Sequence, residues 1–263
     1  MIEMFRVTFK GILKDRVFHG ILVVSCIMLL IPSVSQLSMR QVPQLGVNLC
    51  LSLVSFIQFL LSVFLGGTII WKYIERRYSY SVLSLPVTRS SYLWGKFLAV
   101  VSFNLLVAFL LGVISYVVLT LVQLDSPSDR PIQLLNLALA VGFDALKYAL
   151  LTACAFLFST VSTSFFLPIF GTISIFLVGS ATQEVHDFVH TDAASSLPIW
   201  LRGVADVFYY IAPNFSAFNL KAHAMYSLPL DSGGLMLTLG YFATYTVILL
   251  TLATQIFSRR EMK

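Results

Sequence analysis

Charged residues are scarce in this chain. Only 11% of its 263 residues are Asp, Glu, Lys or Arg, and 58% are hydrophobic, whereas a soluble domain carries about 25% charge. This deficit excludes a large water-exposed surface and indicates that lipid surrounds most of the chain. The net charge of +5 does not indicate nucleic acid, because the basic residues flank apolar segments as orientation signals do.

Cysteine is scarce too, and the common catalytic motifs are missing. The three cysteines lie in apolar stretches and form no CxxC pair, which argues against a disulfide framework or a cysteine zinc site. The sequence contains no G-x-x-x-x-G-K-[ST] phosphate loop. Gly-Gly-Thr at 66–68 lacks the lysine of that loop and predicts close helix packing instead. The sequence therefore indicates no catalytic residue, no cofactor and no enzyme activity for this chain by itself.

Long apolar segments make up most of the chain. A bilayer core about 30 Å thick requires about 20 apolar residues per helix, so the sequence predicts an all-α integral membrane protein with one transmembrane domain over 1–263. A basic amphipathic stretch at 1–16 predicts a helix in the headgroup plane. The fourth and fifth spans are separated by few residues around Ser162, so a tight turn is expected there. Six spans are predicted, at 17–35, 48–72, 92–123, 132–160, 163–182 and 234–257.

Basic residues are distributed unevenly along the chain. Twelve of the 17 Lys and Arg residues lie at the two termini and around 73–91, and four lie in the other loops. By the positive-inside rule, both termini and the 73–91 segment are cytosolic in a multi-pass protein of the cell membrane, expected to be a bacterial inner membrane. The 183–233 segment then lies outside, where its Trp and Tyr residues predict short helices in the interface.

The 73–91 segment is basic and amphipathic. Pro86 has no amide proton and disfavours helix at the residue before it, so the helix is expected to end near Ser84. Ser90 or Ser91 is expected to cap the next helix. One interpretation is a solvated basic loop that fixes topology. The other is a structured surface that binds a cytosolic partner.

The residue order of this segment resembles that of permeases of the type-2 ABC exporter family. The shared features are Glu-Arg-Arg at 75–77, Leu-Ser-Leu-Pro-Val-Thr-Arg at 83–89 and Gly-Lys at 95–96. Val82 replaces a leucine of the family pattern. The amphipathic start, the six spans and Ala-Pro-Asn-Phe at 212–215 extend the resemblance over most of the chain.

The resemblance implies a cytosolic coupling helix that docks in a groove of a separate ABC ATPase subunit, which would bind ATP and Mg²⁺. It also implies a second permease copy or a close relative in the same membrane. An extracytoplasmic helical element before the last span is expected. The residues implied in coupling are Glu75, Arg76, Arg77, Tyr80, Leu83, Leu85, Pro86 and Arg89.

Asp144 and Lys147 are charged residues three positions apart inside the fourth predicted span. A charge within the bilayer costs roughly 2.5–3.5 kcal/mol on insertion scales, and such residues often mark transport pathways. The spacing allows the two groups to neutralise each other. Two interpretations follow: a structural ion pair that faces other helices, or a polar lining or hinge on the transport path.

His186 and His190 are four residues apart and share one helical face, with acidic residues nearby. Imidazole and carboxylate ligands suit zinc or copper. The pattern is not H-E-x-x-H, so it does not indicate a protease. A polar outer helix is the simpler interpretation.

Three functions are compatible with the sequence. The first is the permease subunit of an ABC exporter, for which apolar spans suit lipids, amphipathic drugs or peptides as cargo, with sodium or other cargo as alternatives. The second is an ABC-type mechanotransmitter that moves an extracytoplasmic partner docked on 183–233. The third is an ATP-independent transporter or membrane anchor, which predicts no ATPase partner.

Overall fold

The described part of the chain is helical and contains no strand. The computed structural model describes residues 1–14, 20, 27–36, 42–75, 88–125, 133–162, 164–191 and 198–259. The α-helices are α1 (Ile2–Leu13), α2 (Ile31–Ser35), α3 (Val42–Glu75), α4 (Arg89–Asp125), α5 (Leu134–Val161), α6 (Phe166–Val189), α7 (Ile199–Ile211), α8 (Lys221–Tyr226) and α9 (Ser232–Arg259). Two 3-10 helices lie at Ile27–Leu30 and Ser216–Phe218.

Five of these helices, α3, α4, α5, α6 and α9, are long and apolar enough to cross a membrane. The prediction of a helical multi-pass membrane protein is therefore confirmed. These helices lie at the positions of the second to sixth predicted spans. About half of the predicted first span, 17–35, falls outside the described residues, and its described end at 27–35 forms a 3-10 helix and α2.

Helix α5 forms the centre of the bundle and contacts α3, α4, α6 and α9. Every side chain from 149 to 156 on α5 is buried, as expected for a helix that is apolar on all sides. Small residues on α5 allow its neighbours to approach closely. A Cβ atom at Gly66 of α3 would lie only 2.9 Å from the Ala155 Cβ, so the close packing predicted for 66–68 is confirmed at Gly66.

The tight turn predicted near Ser162 is present. Helix α5 ends before Ser162, whose Oγ accepts a hydrogen bond from the Ser164 amide (2.9 Å). Pro168 lies in the first turn of α6, where its missing amide proton removes no intrahelical bond. The chain therefore reverses direction within a few residues.

Helix α6 continues to Val189, beyond the predicted span end at 182. The stretch 180–189 contains no proline or glycine that would end the helix. Gln183 Nε2 also donates to both carboxylate oxygens of Asp187 (2.9 and 3.0 Å), an i, i+4 contact that supports helix. The 183–233 segment therefore begins inside a helix rather than in a loop.

The rest of that segment packs on the bundle through its Ala-Pro-Asn-Phe sequence. Phe215 and Phe218 are buried, and the Phe215 amide donates to the Gly179 carbonyl of α6 (3.1 Å). Asn214 Oδ1 accepts a hydrogen bond from the Ser216 amide (3.0 Å). The connection between α7 and α8 is thus anchored on α6.

Candidate functional site

Asp144 and Lys147 form an ion pair within α5. Asp144 Oδ1 contacts Lys147 Nζ, and Asp144 Oδ2 accepts a hydrogen bond from Ser55 Oγ on α3 (2.8 Å). The side chains of Asp144 and Lys147 are only 11% and 12% exposed. Because isolated charges are costly inside a span, mutual neutralisation and the serine hydroxyl make this pair tolerable.

Lys221, at the start of α8, adds a second amine to the cluster. Its Nζ donates to Ser52 Oγ on α3 (3.2 Å), and it lines the same small pocket as Ser55 and Asp144. Burial lowers the pKa of Lys221, whereas the Asp144 carboxylate favours the charged amine and opposes that shift. One carboxylate therefore lies among polar groups from α3, α5 and α8.

A second buried polar network joins three spans. On α4, Asn104 donates from Nδ2 to Ser62 Oγ on α3 (3.2 Å) and to Thr152 Oγ1 on α5 (3.5 Å). Gln58 Nε2 donates to the Asn104 carbonyl (2.9 Å). All four side chains are fully buried. Hydrogen bonds between membrane helices contribute about 0.6 kcal/mol each, so this network helps to hold α3, α4 and α5 together.

The pocket beside Asp144 is too small for a substrate. Its volume is about 10 Å³, which is room for about one water molecule. A larger groove of about 370 Å³ lies between α4 and α5 and has apolar walls that include Phe109, Tyr116 and Val141. A molecule larger than water could therefore reach Asp144 only after the surrounding helices move.

The start of α4, where the 73–91 segment ends, is joined to the end of α9. Arg89 donates from Nη1 to the carbonyl oxygens of Ser258 (2.7 Å) and Phe257 (3.3 Å). Carbonyls in the last turn of a helix lack intrahelical partners and carry partial negative charge, which a guanidinium satisfies. Tyr92 also stacks on Phe257, with 5.9 Å between ring centroids.

Helix α1 contacts the same end of α4. A Cβ atom at Gly95 would lie 2.8 Å from the Met1 carbonyl oxygen and 2.9 Å from the Met4 Cβ. Lys96 is only 1% exposed, and its Nζ lies 4.5 Å from the centroid of the Tyr92 ring, which is cation–π geometry. The helices α1, α4 and α9 therefore meet directly after the 73–91 segment, and we call this meeting point the α1–α4–α9 junction.

Two of the predicted coupling residues fall within described helices. Glu75 is the last residue of α3 and Arg89 the first of α4. Thr88 Oγ1 accepts a hydrogen bond from the Ser91 amide (3.3 Å), so Thr88 is the cap and the prediction of Ser90 or Ser91 is wrong. The helix begins early enough that both serines already lie in its first turn. The other coupling residues lie outside the described residues: Arg76, Arg77, Tyr80, Leu83, Leu85 and Pro86.

His186 and His190 lie on one face at the end of α6, and α7 adds Asp206. The Nε2 atom of each imidazole is 3.7 Å from Asp206 Oδ1. The three side chains could hold a metal ion. Asp206 could not be assigned to this cluster from the sequence because it lies on a different helix.

Comparison with known proteins does not assign the chain to a family. No protein-family model matches the chain, and no curated protein is significantly similar to it. The resemblance to type-2 ABC permeases therefore stays a prediction that depends on the order of residues.

Several residues of these clusters were missed from the sequence. On α3, the polar residues Ser55, Gln58 and Ser62 follow a spacing of three and four, which marks one face of a helix. That spacing is a signal that could have revealed the polar side of α3. Lys221 gave no such signal, because its contact with Ser52 depends on how α8 packs.

Proposed function

We propose that this chain is the transmembrane permease subunit of an ABC exporter, driven by ATP hydrolysis in a separate subunit. The α1–α4–α9 junction is the observation that supports this proposal most. The 73–91 segment ends at Arg89, whose guanidinium contacts the last carbonyls of α9. A displacement of that segment would therefore pull on α4 and α9 together, and α1 packs on the same turns of α4.

In this proposal six helices cross a bacterial inner membrane, with the first at 17–35 and both termini in the cytosol. The uneven distribution of basic residues supports this orientation. Two permease copies or close relatives assemble, and the 183–233 element caps the route on the outer side.

Asp144 and Lys147 belong to the moving part of the transport path in this proposal. The pair connects α5 to α3 through Ser55, and Lys221 approaches it from α8. Because the pocket there has room for about one water molecule, the described conformation corresponds to a closed path. Cargo passes when α3 and α5 rearrange or between two copies.

Affinity purification of the full chain from its native membrane tests the proposal. The wild-type chain should retain a protein that contains a phosphate loop and hydrolyses ATP. Replacing Leu83 and Leu85 by Asp should remove that protein, because an apolar docking surface then carries two charges. Leu228→Asp is the control, since Leu228 is 38% exposed and lies between α8 and α9.

Two results would contradict the proposal. One is purification of the intact chain without any ATPase, which would favour an ATP-independent transporter or membrane anchor. The other is equal ATPase retention by wild type and by the Leu83 and Leu85 variant. Size-exclusion chromatography of each variant separates loss of docking from loss of folding.

A further inference from the structure

A polar cluster of three side chains connects the C-terminal end of α6 to the middle of α7. His186 and His190 come from α6 and Asp206 from α7, and their candidate ligand atoms all lie within 4.8 Å of one another. The 3.7 Å between each imidazole Nε2 and Asp206 Oδ1 is too long for a hydrogen bond. It is close to the separation of about 3.4 Å between two ligand atoms that bind the same zinc ion in tetrahedral geometry, with zinc–ligand bonds of about 2.0–2.1 Å.

The hydrogen bonding of His190 favours metal binding. Its Nδ1 lies 2.9 Å from the His186 carbonyl oxygen, so Nδ1–H donates there, and in the neutral imidazole the lone pair is on Nε2, which faces Asp206. Metal-binding histidines commonly have such an outer partner. The His186 ring contacts the rings of His190 and Tyr209, with centroid separations of 4.4 and 4.1 Å. These contacts restrict its orientation.

Asp206 presents a buried oxygen that could bind a cation. Its Oδ1 is buried and accepts no hydrogen bond from the residues that the structure describes, an arrangement that costs free energy. Asp187 also lies near His186, with 3.6 Å between its Oδ1 and His186 Nδ1. Unlike Asp206 Oδ1, both of its carboxylate oxygens accept hydrogen bonds, from Gln183 Nε2. The C-terminal end of α6 adds a partial negative charge that favours a bound cation.

We propose that His186, His190 and Asp206 bind one divalent first-row transition-metal ion, with zinc as the representative. Two imidazoles and a carboxylate suit such ions, and a three-residue site keeps a fourth position for water or an exogenous donor. The ion links α6 to α7 beside the apolar groove that Val185 and Ala205 help to line. It therefore fixes α7 on the bundle. This inference does not depend on the proposed transport function.

Zinc titration of the full chain in detergent tests the site. The protein is purified without a polyhistidine tag, treated with a chelator and titrated calorimetrically with zinc alone. We expect one zinc ion per chain, and at least about tenfold weaker binding in His190→Gln and in Asp206→Asn. His223→Gln and Glu184→Gln are matched controls outside the three-residue set, since Glu184 is an exposed acid of α6, and both should bind zinc as wild type does.

Hydrogen exchange gives a second readout that adventitious surface binding does not produce. Zinc should slow amide exchange in α7 of the wild-type chain and leave it unchanged in Asp206→Asn. The proposal is overturned if wild type binds no more zinc than a variant with all three residues replaced, or if site and control variants bind zinc equally. Either result would mean that His186, His190 and Asp206 form a polar contact only. His190 is half-exposed, so its substitution should leave the fold intact.

Discussion

At the scale of single residues, the charges inside the bundle impose the strongest constraints. Asp144 contacts Lys147 and Ser55, and Lys221 lines the same pocket. Removal of one partner from a buried ion pair leaves the other charge without compensation, which costs about 3–5 kcal/mol. The carboxylate therefore matters more for stability than either amine alone.

Asp144→Leu should lower the midpoint of thermal unfolding in detergent substantially, because Lys147 then keeps a buried charge without its carboxylate. The double variant Asp144→Leu, Lys147→Met should recover part of the loss, since it removes both charges. Glu184→Leu is the control at an exposed acid. An unfolding midpoint of Asp144→Leu equal to that of wild type would rule out this role of the pair.

Gly179→Ala should destabilise the fold by about 1–3 kcal/mol, the usual cost of overpacking. A Cβ atom at this position of α6 would collide with the Pro213 carbonyl oxygen and crowd the Phe215 ring. Gly240→Ala is the matched control, because its Cβ would meet nothing within 4 Å. Thermal unfolding measures both variants, and equal midpoints for the two would contradict the close packing of α6 on 213–215.

The two polar clusters, around Asp144 and around His186, could be predicted only where their residues are close in the sequence. The Asp144–Lys147 pair and the shared face of His186 and His190 follow from helical spacing. The contacts of Asp206 and Lys221 could not be predicted, because each joins residues on separate helices. Such contacts depend on how the helices pack, which a periodic pattern does not specify.

At the scale of helices, apolar length was the most informative property of the sequence. It located α3, α4, α5, α6 and α9, and the short polar stretch at Ser162 located the turn between two of them. The helix ends were less predictable, because they depend on local hydrogen bonds such as Thr88 with the Ser91 amide. Helix α6 likewise extends past its predicted span because nothing in 180–189 interrupts it.

Arg89→Gln should loosen the end of α9 without unfolding the bundle. Loss of the guanidinium removes hydrogen bonds to the carbonyls of Phe257 and Ser258, which is worth about 1 kcal/mol. Amide exchange in the last turn of α9 should therefore accelerate about fivefold. Arg6→Gln on α1 is the control, since Arg6 is exposed. If amide exchange in the last turn of α9 is unchanged in Arg89→Gln, the claim that Arg89 of α4 stabilises the end of α9 is wrong.

At the scale of the whole molecule, the bundle has a tightly packed centre around α5 and, at one end, contacts that join α1, α4 and α9. Polar networks hold α3 and α4 on the central helix α5. The α1–α4–α9 junction lies at the start of α4, directly after the end of the basic 73–91 segment. Under the proposed function, a force applied to 73–91 would move several spans at once.

Site-specific photo-crosslinking at position 80 in native membranes tests the central claim most directly. A photoreactive residue in place of Tyr80 should form an adduct with a protein that contains a phosphate loop. The same residue in place of Phe188, which is 55% exposed on α6, should not form it. An adduct of equal yield from both positions, or only lipid adducts from position 80, would contradict the claim that 73–91 docks on an ATPase.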